Sequence, residues 1–263
     1  MWRERLWSAL VELIFPSRCV FCRRWGIPFC RRCQAEATPV GEAVCVRCGQ
    51  AMTERCLCPD CRRTPAGPLR GMRGVVFYGR PVSFAIHALK YRGMTELARP
   101  LAGYLIAYLQ THPLPFDGLV PVPLHPEREA ARGFNQSALL AREVGRALRL
   151  PVHEGVIVRR RATPPQVHLT RQQRLDNVKD AFAATAPGVL AGGRFLLVDD
   201  VCTTGATLQA AAQALHEAGA GEIWALAVAR AHPKPEPEPW QVGLGPAEVF
   251  IAWAGGWTVD DGR

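Results

Sequence analysis

The chain has 263 residues, 48% of them hydrophobic and 21% charged, which is enough apolar material for a real core and excludes wholesale disorder. Basic residues outnumber acidic ones by 32 to 23, a formal net charge of +9 that leaves a surface able to attract phosphates. Only Lys90, Lys179 and Lys234 among the 32 are lysines, so the arginine excess reads as a coding bias rather than as 29 functional arginines.

Residues 1–16 place Leu6, Leu10, Leu13 and Ile14 on one face of a short amphipathic helix. Arg3, Glu4, Arg5 and Glu12 interrupt the apolar character, and no small-residue cleavage site follows, so an export signal is not expected. No stretch approaches the roughly 20 apolar residues of a membrane span. A cytoplasmic, reducing compartment is the expectation.

Nine of the ten cysteines lie between Cys19 and Cys61. Eight of the nine come as C-x2-C pairs, Cys19/Cys22, Cys30/Cys33, Cys45/Cys48 and Cys58/Cys61, a poor disulfide spacing and a good metal-ligand spacing. Two intervening residues let the backbone curl until both sulfurs face one ion. Zn2+ takes four thiolates in a tetrahedron, so four knuckles supply two closed, structural sites. Sequential pairing gives two short ribbons. Cys56 is a further cysteine that could replace Cys58, although the spacing favours Cys58. Gly49, just after Cys48, suits the tight turn of a knuckle. Two such sites, each carrying a −2 charge, would lower the net charge to about +5.

Composition changes at residues 62–68, RRTPAGP, which reads as a linker or domain edge. Residues 74–79 then read as a strand, 81–91 and 95–111 as helices with Pro100 interrupting the second, and 117–124 as a strand entering a loop. An amphipathic helix is expected over 136–149, a strand over 155–160 and a long polar loop over 161–174. Residues 194–198 form a continuous apolar strand that Asp199 and Asp200 are expected to end. A turn over 201–206, a helix over 207–218 closed by Gly219, and a strand over 222–229 follow. Strands without alternation are buried on both faces, as in a parallel sheet flanked by helices. The expected architecture is therefore α/β: a mostly parallel, doubly wound sheet over 66–231, preceded by a small zinc-ribbon module over 1–65. Residues 232–239 are a Pro-rich spacer. The tail to 263, with Trp240, Trp257 and an apolar run at 249–253, receives no functional reading.

Residues 195–207, FLLVDDVCTTGAT, carry the second chemical signal. An apolar strand delivers two carboxylates to the carboxyl edge of a sheet, and a Thr/Gly turn and helix start follow. Turn amides and the helix dipole make a phosphate cradle, to which Thr203, Thr204 and Thr207 add hydroxyls. Neither G-x4-G-K-[ST] nor G-x-G-x-x-G is present. Carboxylates beside a phosphate cradle suit a sugar phosphate, whose ribose hydroxyls they can accept. At a strand end they are expected to be solvated, so that their removal leaves the fold nearly as stable.

These 13 residues resemble the phosphoribosyl pyrophosphate (PRPP) motif of type I phosphoribosyltransferases along its whole length. Four knuckles ahead of a domain holding 86–93 (IHALKYRG), 121–124 (PVPL), 132–136 (RGFNQ) and Gln166, Leu169, Arg174 and Asn177 look like the ComF family of competence proteins, with the related GntX group. The resemblance covers about residues 19–230. It implies a type I phosphoribosyltransferase-like fold and a role in natural transformation, handling incoming single-stranded DNA at the cytoplasmic face. PRPP with Mg2+ is the implied ligand, and a competence helicase or channel protein an implied partner. An active transferase in nucleotide salvage and a zinc-module scaffold are the alternatives.

By the same resemblance Asp199 and Asp200 bind ribose hydroxyls as the catalytic pair. Cys202, Thr203, Thr204, Gly205, Ala206 and Thr207 form the PRPP loop, with 203–207 taking the 5′-phosphate. Arg132 is the cation of the pyrophosphate loop, Lys90 and Arg92 close the site from the other side, and Gln166 and Arg171 act in a flexible lid over 161–174. Cys202 reads as small-residue filler and His125 as a polar loop residue. No base-recognition element is identifiable between residues 70 and 230. The basic excess is diffuse, without the interleaving of aromatic and basic residues that marks a stacking platform.

Overall fold

The computed structural model describes residues 17–114, 116–161, 180–185, 188 and 190–231. The 1–16 helix, Gln166, Leu169, Arg171, Arg174, Asn177 and the 232–263 tail lie outside them.

Two short helices, α1 (Arg31–Ala35) and α2 (Pro59–Arg63), belong to the cysteine module. The remainder runs β1 (Leu69–Phe77), α3 (Val82–Arg92), a 3-10 turn (Thr95–Leu97), α4 (Ala98–Thr111), β2 (Gly118–Pro121), α5 (Pro126–Arg132) and α6 (Gln136–Leu148). It continues with β3 (Ile157–Arg159), β4 (Phe182–Ala184), β5 (Arg194–Cys202), α7 (Ala206–Glu217) and β6 (Glu222–Arg230). The main sheet has the order β1-β6-β5-β2 with every pair parallel, so the α/β expectation holds.

Both faces of this sheet are covered. Leu196 and Val198 of β5 and Leu226 and Val228 of β6 pack with Ile86 and Leu89 of α3, Leu101 and Leu105 of α4 and Leu140 and Val144 of α6. Phe195 and Leu197, one residue out of step, join Ala225, Ala227 and the α7 side chains Leu208, Ala211 and Leu215. That period of two on strands buried on both sides is why β5 and β6 read as unbroken apolar runs.

Local differences from expectation have local causes. Pro100 sits in the first turn of α4, where an amide has no intrahelical acceptor, so it interrupts nothing. The segment after β2, expected as loop through Arg132, contains α5, which opens on Pro126 and closes on Gly133 at φ 84°. β3 pairs antiparallel with β4 in a separate two-stranded sheet. β1 begins five residues earlier than expected, because Leu69, Gly71, Met72 and Arg73 already pair with β6; its other edge is covered as well. The Met72 N–H donates to the Arg47 carbonyl at 2.9 Å, the Val40 N–H to Val75 at 3.0 Å and the Phe77 N–H to Thr38 at 2.8 Å. The cysteine module is thus the cap of an otherwise exposed sheet edge.

The module shares its core with the sheet. Cys19, Val20, Phe29 and Cys33 are buried in one cluster with Val75, Leu89 and Leu101, and Tyr104 Oη donates to the Gln34 carbonyl at 2.8 Å.

Candidate functional site

The chain folds its eight paired cysteines into two groups. Cys19, Cys22, Cys30 and Cys33 form one, and Cys45, Cys48, Cys58 and Cys61 the other; within each, all sulfurs lie within 4.8 Å of one another. The pairing is sequential, and Cys58 rather than Cys56 joins the second group. Cys56 instead faces Arg62, at 3.9 Å. Gly49 takes φ 66° behind Cys48, with the Met72 carbonyl where a side chain would have to go.

The donor set fits a structural metal. The N–H groups of Cys48 and Cys58 point at Cys45 Sγ, 3.5 and 3.4 Å away. Burial alone would raise that thiol, but these amide dipoles outweigh it and bring Cys45 down to about 6. Cys19 is lowered to about 6 in the same way, against its own burial, by amides of Cys30, Cys22 and Phe21. One thiolate per group is thus favoured, while burial and the neighbouring sulfurs push Cys30, Cys33, Cys48 and Cys61 up. Four close sulfurs of this kind need a cation among them, which suits two closed four-cysteine zinc sites with no position left for substrate.

The second site lies where β2 and β5 end. The second helix after β2, α6, packs on one face of the sheet, and the helix following β5, α7, on the other. Such a switch point opens a crevice at the carboxyl ends of neighbouring strands. Asp199 and Asp200 stand there, and the structure corrects their expected setting. β5 runs on to Cys202, and both carboxylates are buried, at 8% and 3% exposure, rather than solvated at a strand end. They keep their partners because α3 and α6 converge on β5 here. Lys90, from the last turn of α3, forms an ion pair with Asp200 Oδ2. Gln136 Nε2 donates to Asp200 Oδ1 at 3.3 Å, and Ser137 Oγ to Asp199 Oδ1 at 2.9 Å. The Asp200 backbone N–H also donates to Asp199 Oδ1, at 2.9 Å.

This arrangement splits the two acids. Burial, then the neighbouring Asp200 charge, pushes Asp199 up to about 7. Burial also acts on Asp200, but the Lys90 ammonium outweighs it and holds that carboxyl below the usual range. Lys90 is raised in turn, its own desolvation being overcome by Asp200. Lys90 favours the charged form of Asp200, and burial beside that charge favours the protonated form of Asp199.

Beyond β5 the chain turns into α7 through Gly205 at φ 81°, where a Cβ would run into Met72 Sδ. No side chain takes the N-cap position of α7. The turn supplies only the Thr204 hydroxyl, 3.4 Å from the Ala206 N–H. Thr203 is exposed, and Thr204 and Thr207 are half-buried, so their hydroxyls lie near the surface at the start of α7, just beyond the buried carboxylates in the chain. Cys202 turns the other way, toward Met72 Sδ at 3.8 Å and Arg230 at 3.4 Å. Burial raises its thiol above the ordinary value, so it is core filler whose backbone alone reaches the turn.

Arg132 reaches the crevice through Gln136, to which it donates, and lies over the Tyr91 ring at 5.5 Å. Arg92 is exposed at the end of α3. His125 caps the approach to α5, with Nδ1 3.7 Å from Glu127. Ser137 is not singled out by the sequence, and Gln136 enters only as the end of the 132–136 motif and the first residue of the expected 136–149 helix. The available signal was their place on the same helical face as Leu140, Ala141 and Val144, all fully buried. Two polar residues on the apolar stripe of a helix need buried partners.

Two family models match: a double zinc ribbon domain over residues 10–62 and a phosphoribosyl transferase domain over residues 135–251. The chain is 35% identical over 228 residues to "DNA utilization protein YhgH" of Escherichia coli K12, covering 81% of this chain and 98% of that one. It is 30% identical over 231 residues to "Competence protein F" of Haemophilus influenzae, covering 82% and 98%. Among solved structures, adenine phosphoribosyltransferase of Saccharomyces cerevisiae aligns with 12% identity and a TM-score of 0.34, covering 63% and 81%.

Proposed function

This chain belongs to the ComF family, and from that premise we propose that it handles DNA on the cytoplasmic side during uptake or utilization, using its phosphoribosyltransferase-fold crevice to bind Mg-PRPP. The observation that supports the ligand is the buried Asp199–Asp200 pair set directly before an uncapped Thr-Gly-Ala-Thr helix start.

In this reading the amides of residues 203–207 and the threonine hydroxyls hold the 5′-phosphate, and the two carboxylates accept the ribose hydroxyls. Lys90 changes partner, leaving Asp200 to the sugar and turning toward the pyrophosphate, with Arg132 opposite. Mg2+, when bound with PRPP, would neutralise charge on the pyrophosphate. Ser137 and Gln136 act one step removed, fixing the carboxylates so that little reorganisation accompanies binding. The zinc ribbons are structural in this reading.

Thermal unfolding with and without Mg-PRPP tests this. A native-state ligand at about 100 times its Kd adds about 2.7 kcal/mol, so the melting temperature should rise. Asp199→Asn with Asp200→Asn should abolish the rise. An unchanged wild-type melting temperature at millimolar PRPP refutes the site. Pyrophosphate release with any free base would convert the binding role into a transferase.

A further inference from the structure

Helix α3 buries Val82, Ala85, Ile86, Ala88 and Leu89 and turns a second, unusual face to solvent. Phe84, His87 and Tyr91 follow the i, i+3, i+7 spacing of one helical stripe and span about 10 Å. Phe84 is 41% and Tyr91 68% exposed, although aromatic rings of this size are normally covered. His87 and Tyr91 lie ring to ring at 4.7 Å. The stripe continues onto the first zinc ribbon, where Phe21 meets Phe84 edge-on at 5.3 Å. Trp25 of that ribbon is 58% exposed.

Three of these rings carry an arginine. Arg18 lies 3.5 Å from the Trp25 ring centre, Arg80 5.6 Å from Phe84 and Arg132 5.5 Å from Tyr91. Helix α3 itself has no carboxylate. Rings spaced between cations form a poor seat for an apolar protein partner, whose contact face would have to bury those charges. They suit a ligand with flat apolar groups and regularly spaced negative charges.

We propose that this stripe, from Phe21 across Phe84 and His87 to Tyr91, is a stacking track for a single-stranded polynucleotide, which it leads to the mouth of the Asp199–Asp200 crevice. Unpaired bases stack on the rings, and the arginines meet the phosphates between them. A duplex, with its bases already stacked on each other, is rejected. The inference rests on the DNA-handling half of the reading above and is independent of its phosphoribosyl half.

The test is fluorescence anisotropy of the full-length, zinc-loaded protein with a labelled oligothymidylate strand and with a duplex of equal length, over a salt series. The strand should bind more tightly than the duplex. Phe84→Ala and, separately, Tyr91→Ala should each weaken the strand by about tenfold or more, the loss expected for one stacked base. Arg80→Gln should reduce the salt slope by about one. Tyr91→Ala removes an exposed ring, so folding is retained even if the loss of Phe84 from its contact with Phe21 proves disruptive. Phe84→Ala should keep the Mg-PRPP melting shift. Wild type and both ring variants binding the strand equally, or the duplex binding as well as the strand, overturns the track and leaves the DNA-handling reading standing. Failure of wild type to bind any strand at low salt overturns both.

Discussion

The Arg230 guanidinium donates to the Cys48 carbonyl at 2.7 Å, tying the end of β6 to a knuckle of the second zinc site. The same nitrogen lies 3.4 Å from Cys202 Sγ, at the end of β5 and the start of the phosphate turn. Arg230 is 6% exposed, so this is a buried strut between the cysteine module and the crevice rather than a surface contact.

Removing the second site should therefore be felt by the sheet. Cys45→Ser with Cys48→Ser should halve the zinc content from two ions per chain to one and lower the melting temperature of the whole molecule. A buried hydrogen bond to a charged group contributes about 1.5–3 kcal/mol, and the cover over β1 adds to that. Metal analysis beside calorimetry checks it. An unaltered main transition with one zinc lost would show that the module and sheet are energetically separate.

Gly205 is constrained twice, by φ 81° and by Met72. Gly205→Ala should destabilise by at least the roughly 1–2 kcal/mol of a left-handed residue with a side chain, with overlap adding more. Met72→Ala should recover the overlap part and not the backbone part. Chemical denaturation of the two single variants and the double variant separates them; simple additivity would deny the contact.

Lys90 and Asp200 should be strongly coupled. Asp200→Asn leaves a largely buried ammonium without its counter-charge, and Lys90→Met leaves a buried carboxylate. Each should cost on the order of 3 kcal/mol, and the double variant less than their sum. A double-mutant cycle measures the coupling. Losses that simply add would mean the ion pair contributes nothing.

Asp199 makes stability depend on pH in a defined direction. Its folded value of about 7 lies above the ordinary 3.8, so between those values the folded chain binds more protons than the unfolded chain. Its contribution is complete below pH 4 and is lost as pH rises to about 7. Asp199→Asn keeps the Oδ1 acceptor for Ser137 and should flatten that part of the stability profile. A slope identical to wild type across pH 4–7 would assign the titration elsewhere.

The C-x2-C spacings, the apolar runs of β5 and β6 and the order of the elements other than α5 and β4 were legible in the sequence. Each rests on short-range geometry: two residues per knuckle, two per strand repeat, 3.6 per helical turn. Asp199, Asp200 and the 203–207 turn were legible for the same reason, being one continuous stretch. The burial of the two acids was not, because Lys90, Gln136 and Ser137 reach them from positions at least 62 residues away in sequence. Nor was the aromatic track, since Arg132 finds Tyr91 and Phe21 finds Phe84 only when the chain returns to the same place. Local pattern determines which elements form. Which charge meets which partner is decided by the packing of α3 and α6 on one face of the sheet, and that in turn sets desolvation and the protonation of the site.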